Sequence, residues 1–185
     1  MYLIVGLGNP EEDYSHTRHN MGFNTINKLA RQYNIEVNKK KFKGLYGTGN
    51  IEQEKVILLK PQTFMNLSGE SIQEIMNFYK ILPEELIIIY DDMDISPGSI
   101  KIRKMGGPGT HNGMKSVVQC LNTQEFVRIR VGIGTPADKS DLIGYVIGAI
   151  DKEEEKILEQ GTNKAKDAII EIIKNGVDIA MNKFN

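Results

Sequence analysis

The sequence predicts an α/β fold: a single domain over residues 1–185, built as a three-layer α/β/α sandwich around a mixed, mostly parallel twisted sheet. Two wholly apolar runs, at 2–5 and 86–90, are typical of buried central strands. Segments with apolar residues at helical spacing alternate with the predicted strands, as they do in α/β proteins. The length of 185 residues suffices for one hydrophobic core, and no repeat or linker divides the chain.

Each element is predicted from its own pattern. Strands are expected where apolar or alternating residues run between turn residues, at 2–5, 44–50, 55–60, 86–90, 99–104 and 126–133. Helices are expected where apolar residues recur at helical spacing, at 20–33, 68–80 and 113–121. The chain after residue 140 is predicted to be helical, with N-caps at Ser140 and Asp151.

The bulk composition limits the classes of function. The formal net charge is −1, so a nucleic-acid-binding role must depend on local basic patches. Cys120 is the one cysteine, which allows no internal disulfide and fits a reducing compartment. The sequence has no basic leader with a long apolar segment behind it, and no run of about 20 apolar residues. We therefore expect a cytoplasmic monomer without membrane contact.

Polar loops follow the predicted central strands, where open α/β sheets place their sites. Asn9 and Asp92 both lie just after such strands. A Gly-x-Gly pair at 6–8 is compatible with a dinucleotide-binding turn, but Glu11 stands where that fingerprint has its third glycine, and Pro10 interrupts the expected helix start. A plain tight turn after the first strand is the favoured interpretation.

His19 is the leading candidate for acid–base chemistry. A lone histidine is more often structural, but this one lies in the polar stretch 15–20, before a helix rather than on an apolar face. We predict that Asp92 holds one ring nitrogen and leaves the other to take a proton from water.

A metal site is the competing interpretation of the same region. Three carboxylates and two imidazoles, from Asp91, Asp92, Asp94, His16 and His19, would suit a divalent ion. Successive residues of a strand point to opposite faces, so Asp91 and Asp92 should not both reach one site. We therefore predict no metal.

Asparagines and basic residues offer further polar groups. Four asparagines stand at predicted loop or helix-start positions: Asn9, Asn20, Asn66 and Asn112. They are helix caps and Asx turns in the ordinary interpretation, which suits Asn20 and Asn66, or neutral donors for a peptide backbone or an oxyanion in the functional one. The basic residues Arg103, Arg130 and 39–41 are solvated surface or, beside the glycine-rich loop 106–110, a phosphate-binding patch.

Together these loops resemble those of bacterial-type peptidyl-tRNA hydrolases, in the family's order and from residue 2 onwards. The matching motifs are Gly6-Leu7-Gly8-Asn9-Pro10, Tyr14-x-x-Thr17-Arg18-His19-Asn20-x-Gly22, Lys60-Pro61-x-Thr63-Phe64-Met65-Asn66-x-Ser68-Gly69, Asp91-Asp92-x-Asp94, Gly109-x-His111-Asn112-Gly113 and Arg128-x-Arg130-Val131-Gly132-Ile133-Gly134. Thr110 departs from the pattern, since the family usually has glycine there, and it adds a side chain where the substrate is expected to approach closely.

The resemblance implies hydrolysis of the ester between a peptide and the 3′ end of tRNA, with the acceptor end of tRNA as partner and with neither metal nor cofactor. His19 would be the general base, oriented by Asp92, and Asn112 would help place the water or the developing oxyanion. The other implied site residues are Asn9, Tyr14, Met65, Asn66, Gly109 and His111 for the substrate, and Arg103 and Arg130 for the tRNA phosphate.

Two rival functions remain open from the sequence. A binding module of the same fold would keep the basic patch without needing His19 and Asp92, so the presence of both favours the enzyme. A metal-dependent hydrolase that used the aspartates 91, 92 and 94 would lose its activity on chelation.

Overall fold

A seven-stranded mixed sheet forms the middle layer of the protein in a computed structural model, which describes residues 1–11, 17–138 and 140–185. Its strands are β1 (Tyr2–Gly6), β2 (Lys39–Lys41), β3 (Gly44–Ile51), β4 (Glu54–Pro61), β5 (Leu86–Asp92), β6 (Ile100–Arg103) and β7 (Val127–Gly132). They stand in the order β2-β3-β4-β1-β5-β7-β6.

The parallel part of the sheet is its centre. β4, β1, β5 and β7 run parallel to one another, whereas β2, β3 and β6 add antiparallel pairs at the two edges. The prediction of a mixed sheet is confirmed, although among the described strands the antiparallel pairs are as numerous as the parallel ones. The carboxyl ends of β1, β5 and β7 meet at one end of the sheet, which is where a site is expected.

Helices cover both faces of the sheet, so the predicted three-layer sandwich is confirmed. They are α1 (Met21–Tyr33), α2 (Ser68–Tyr79), α3 (Asn112–Leu121), α4 (Leu142–Ile147), α5 (Lys152–Asn175) and α6 (Val177–Phe184). No helix within the described ranges is both long and apolar enough to cross a bilayer.

Alternation along the strands sends apolar side chains into two separate cores. On β1, Ile4 packs in the core under α1, α5 and α6, whereas Leu3 and Val5 pack in the core under α2 and α3. The strand β5 follows the same rule, with Ile87 and Ile89 on the α1 face. This alternation decides the direction of the two aspartates that end β5.

Three local predictions need correction. β5 continues through Asp92, where the sequence analysis ended the strand two residues earlier. The lysine run 39–41 forms the short edge strand β2. α4 is capped by Asp141, whose Oδ1 accepts from the Gly144 N–H, and not by Ser140, whose own N–H and hydroxyl donate to Asp138.

Close backbone packing, rather than a tight turn, explains the first glycines. A Cβ on Gly6 would lie 2.2 Å from the carbonyl oxygen of Gly22, and a Cβ on Gly22 would lie 2.4 Å from the nitrogen of Leu7. Neither Gly6 nor Gly8 has a positive φ, and residues 7–10 form no turn, so the tight-turn interpretation is wrong. The contact holds the start of α1, and with it the preceding segment that contains His19, against the ends of β1 and β5.

Candidate active site

A cleft of about 670 Å³ opens at the carboxyl ends of the central strands. Ten of the eleven site residues predicted from the sequence line it: Asn9, His19, Met65, Asn66, Asp92, Arg103, Gly109, His111, Asn112 and Arg130. The eleventh, Tyr14, lies outside the described residues. The cleft therefore brings together side chains from loops that are far apart in the chain.

His19 lies in a short 3₁₀ turn, Arg18–Asn20, directly before α1. Its Nδ1 is 2.9 Å from Oδ1 and 3.0 Å from Oδ2 of Asp91. The predicted partner, Asp92, is therefore wrong, because the neighbouring aspartate occupies that position. Asp91 shares the α1 face of β5 with Ile87 and Ile89, and α1 is the helix that His19 precedes.

Asp92 points to the opposite face and has a different partner. Its Oδ2 accepts from Nε of Arg130 at 2.7 Å, and its Oδ1 accepts from the backbone N–H of Asp94 at 2.8 Å. Arg130 is the cross-strand neighbour of Tyr90, two residues before Asp92 on the same face. This ion pair fixes the guanidinium of Arg130 at the wall of the cleft.

A second histidine completes a cluster around Asp91. His111 Nε2 lies 3.0 Å from Asp91 Oδ1, and the two imidazole rings meet edge to face with centroids 5.2 Å apart. Asp91 is 3% exposed, so the two imidazoles provide the hydrogen bonds that water would give to an exposed carboxylate. His111 was predicted only as a residue of the substrate loop, and its contact with Asp91 was not predicted.

The electrostatics of the cluster favour an ionised Asp91 beside His19. Burial alone would raise the pKa of the Asp91 carboxyl, but the two adjacent imidazoles lower it well below its usual range. Burial lowers the pKa of His19, whereas the charge and the hydrogen bond of Asp91 raise it, and the net result is a pKa above the ordinary value for histidine. Asp91 therefore favours the protonated form of His19 and would stabilise the imidazolium that forms when the ring accepts a proton.

The cluster suits hydrogen bonding better than metal binding. The ligand atoms of His19, Asp91 and His111 lie within 4.8 Å of one another. A metal at His111 Nε2 would need the ring hydrogen on Nδ1, but Nδ1 accepts from the Met114 N–H at 3.2 Å. In the aspartate-rich site considered from the sequence, Asp91 and Asp92 have separate partners, and His16 lies outside the described residues.

The asparagines divide between supporting and cleft-lining roles. Asn20 Oδ1 accepts from the backbone N–H of Asn9 at 2.7 Å and makes no cap bond, so its interpretation as a helix cap is wrong. Asn9 Oδ1 accepts from the Glu11 N–H in an Asx turn. Asn66 and Asn112 are exposed at the cleft, where their amides can meet a substrate.

The basic residues of β6 and β7 lie on one face of the sheet. In the antiparallel register Arg130 pairs with Lys101, and Arg128 pairs with Arg103, so all four side chains share that face. Arg103 is exposed at the cleft. Arg128 is 1% exposed and donates to the carbonyl of Gly106, so it anchors the start of the glycine-rich loop.

The lysine run considered for phosphate binding stands elsewhere. It forms β2, which is the sheet edge opposite to β6. Gly109 and Thr110 are exposed on the cleft wall, and Gly109 has a φ of +60° that favours glycine. The side chain of Thr110 therefore stands on the surface that a substrate would meet.

Two features of the site were not predicted from the sequence. Arg18 is buried and joins the His19 segment to Glu154 at 2.7 Å and to the Tyr145 carbonyl at 2.9 Å. The helix α4 lines the cleft with four apolar side chains, Leu142, Ile143, Val146 and Ile147. Ile143 is 67% exposed, so the cleft has an apolar part beside its polar residues.

The chain is similar to proteins described as peptidyl-tRNA hydrolases. The family model described as Peptidyl-tRNA hydrolase matches residues 3–185. The peptidyl-tRNA hydrolases of Alkaliphilus metalliredigens (strain QYMF) and Thermoanaerobacter sp. (strain X514) are 54% and 52% identical over 185 residues, with 100% of each chain covered. The crystal structure of peptidyl-tRNA hydrolase from Acinetobacter baumannii matches with a TM-score of 0.94 at 39% identity, over 99% of this chain and 93% of that chain. The chain belongs to the peptidyl-tRNA hydrolase family.

Proposed function

We propose that the protein hydrolyses the ester bond between a peptide, or an N-blocked aminoacyl group, and the 3′ end of tRNA, and so returns free tRNA to translation. His19 is the general base that activates the attacking water, and Asp91 is the carboxylate that orients it. The contact of His19 Nδ1 with both oxygens of Asp91, at 2.9 and 3.0 Å in the wall of the cleft, is the observation that carries the proposal.

The roles of the two nitrogens of His19 follow from that contact. With Nδ1–H donating to Asp91, the lone pair lies on Nε2, which takes the proton from water. The negative charge of Asp91 stabilises the imidazolium that forms. Because the leaving group is a ribose hydroxyl, a better leaving group than an amine, water activated in this way needs no serine or cysteine nucleophile.

Amide side chains and backbone groups bind the acyl part of the substrate. Asn112, the first residue of α3, stands where its amide and the helix N-terminus can stabilise a developing oxyanion. Asn9 and Asn66 hold the peptide main chain, Met65 shapes the floor, and recognition through the main chain makes the site indifferent to side chains. A free aminoacyl-tRNA would bury its charged amine without a partner and is spared.

The tRNA end lies along the basic side of the cleft. Arg130, held by Asp92, and the exposed Arg103 contact phosphate, with the glycine-rich loop beside them. Since the net charge is −1, this local patch supplies the attraction, and binding should weaken steeply with salt. The same proposal gives a monomer that works in the cytoplasm.

Hydrolysis of N-acetyl-aminoacyl-tRNA beside unblocked aminoacyl-tRNA, with EDTA present throughout, tests the substrate class. Rapid cleavage of the blocked substrate alone supports the proposal. A protein that binds tRNA but cleaves neither substrate is a binding module, and one that loses its activity in EDTA is a metal-dependent hydrolase.

A further inference from the structure

His111 occupies the N-cap position of α3, an unusual place for a histidine. Its backbone is extended, with φ −73° and ψ 118°, and its Nδ1 accepts from the backbone N–H of Met114 at 3.2 Å. A nitrogen that accepts an N–H hydrogen bond carries no proton of its own. The helix cap therefore keeps the hydrogen of the neutral His111 ring on Nε2.

The second nitrogen of the same ring faces Asp91. Nε2 lies 3.0 Å from Oδ1, so the ring donates its Nε2–H to the carboxylate. Asp91 thus receives one N–H from His111 and one from His19, and it is 3% exposed. The two donors together hold the carboxylate in one orientation.

We propose that His111 is a positioning residue for the hydrolysis: the α3 cap holds its ring with Nδ1 as an acceptor, and its Nε2–H fixes the Asp91 carboxylate that orients His19. The inference rests on the proposed function, and it adds a role to a residue that the sequence motif linked only to the substrate loop. His111 acts through Asp91 and not on the ester itself.

The cap contact of His111 also bears on where a positive charge forms in the cluster. The two rings are 5.2 Å apart, and a second imidazolium at that distance would repel the one that forms on His19 during the reaction. Protonation of His111 on Nδ1 would also bring that N–H against the backbone N–H of Met114, so that two donors would face each other at the cap. The negative charge of Asp91 therefore stabilises the imidazolium of His19 and is not shared with a second imidazolium on His111.

Other charged groups around His19 are already paired among the described residues. From β5 and β7, Asp92 pairs with Arg130, and Arg128 is bound by backbone carbonyls. From α5, Glu154 pairs with Arg18, the neighbour of His19 in the chain. Each of these groups has its own partner, so His111 and Asp91 are the neighbours that determine how tightly His19 holds its proton.

Two substitutions of His111 separate its two nitrogens. His111→Asn keeps an oxygen acceptor for the Met114 N–H, since asparagine is a good N-cap, but its short amide leaves Asp91 without the second donor. His111→Gln carries an N–H group out to the position of Nε2 and loses the cap. Each variant thus removes one function and retains the other.

The expected kinetic results differ between the variants. His111→Asn should keep its melting temperature, lose about 10- to 100-fold in kcat because Asp91 is no longer fixed, and shift the acid limb of kcat/KM to higher pH. The shift is upward because removing an N–H dipole aimed at Asp91 strengthens the hold of that carboxylate on the proton of His19. His111→Gln should melt at a lower temperature and keep the pH profile of the parent.

Nuclear magnetic resonance tests the same point without substrate. The protein has three histidines, so long-range ¹⁵N–¹H spectra of the imidazoles can be assigned by substitution. We expect the ring hydrogen of His111 on Nε2, with Nδ1 as the acceptor of the Met114 N–H, and a His19 titration midpoint that rises in His111→Asn. Failure of the proposed function would abolish hydrolysis and leave this spectrum unchanged. A protonated or Nδ1–H His111, or an unshifted His19 in His111→Asn, would overturn the inference.

Discussion

Arg18 offers the sharpest test of how the site is held together. Its guanidinium donates from Nε and Nη2 to the carboxylate of Glu154 at 2.7 to 3.1 Å, and from Nη1 to the Tyr145 carbonyl at 2.9 Å. It also lies 4.0 Å from the centre of the Tyr145 ring. Arg18→Met keeps an unbranched side chain against that ring but removes every one of these donors.

The cost of Arg18→Met follows from the burial of the pair. Removing one member of a buried ion pair costs about 3–5 kcal/mol, because the other charge is left without a partner. The side chain of Glu154 keeps 24% of its surface in water, against 10% for Arg18, so we take the lower end, about 3 kcal/mol. For a chain of this size that is a fall in Tm of roughly 6–12 °C.

Thermal unfolding of a small set of variants measures this cost. Glu154→Leu combined with Arg18→Met should be less destabilising than the sum of the two single changes, because no charge is then stranded. Lys43→Met is the matched control, since its ion pair with Glu70 at 2.8 Å is exposed and should leave Tm almost unchanged. If Arg18→Met lowers Tm no more than Lys43→Met does, the buried-pair reasoning is refuted.

Three further outcomes are expected. Asp91→Asn should lower kcat by about 10³- to 10⁴-fold and move the acid limb of kcat/KM to lower pH, because this carboxylate raises the pKa of the general base. Asp92→Asn should change neither quantity in this way. Equal losses of activity in the two variants would instead assign the orienting role to Asp92. Gly22→Ala should cost about 3 kcal/mol in unfolding free energy, since its Cβ would meet backbone atoms at 2.4 Å, whereas Gly107→Ala, with nothing within 4 Å, should melt like the parent. Asn185→Ala should cost about 1–2 kcal/mol by thermal unfolding, because its amide bonds both backbone groups of one residue on edge strand β6, at 2.7 and 3.0 Å.

The direction of the wild-type pH dependence follows from the pKa of His19. The base works only when unprotonated, and its pKa lies above the ordinary value of 6.5. Activity should therefore rise with pH through that raised pKa. Stability should change with pH in the opposite direction to activity. The contribution of the His19–Asp91 pair to the free energy of unfolding is complete below the unfolded-state pKa of His19, and it is lost as the pH rises through the folded-state pKa.

The sequence carried enough information for the layers and for the location of the site. Apolar strands between amphipathic helices specify a sheet covered on both faces, and the carboxyl ends of its parallel strands must meet at one end. That is why loops as distant as those of Asn9 and Asn112 could be assigned to one cleft. Such an assignment depends on topology and needs no side-chain detail.

To choose between Asp91 and Asp92 as the partner of His19, one must know to which face of the sheet each residue of β5 points. Strand alternation allows only one of them to reach His19, and the prediction of Asp92 did not carry that alternation past residue 90, where the predicted strand ended. The residues at 87 and 89 face α1, so the same alternation continued to 91 would have named Asp91. The sequence contains this alternation, but applying it to His19 requires knowing which face of the sheet α1 covers.

Long-range polar contacts were beyond the sequence for a different reason. Arg18 and Glu154 are 136 residues apart, and nothing in either local pattern indicates that the two charges are buried together. Asn20 has the position of a helix cap but turns its amide to Asn9, because the close packing at Gly22 brings that backbone within reach. Local propensity predicts the element, whereas tertiary packing selects the partner.

The most direct test of the central claim is single-turnover hydrolysis of N-acetyl-aminoacyl-tRNA by saturating enzyme, for the wild type and His19→Ala, with tRNA binding measured on the same samples. The account predicts unchanged binding and a loss of at least about 10³-fold in the hydrolysis rate of the variant. A variant that binds and still cleaves at nearly the wild-type rate would contradict the assignment of His19 as the general base.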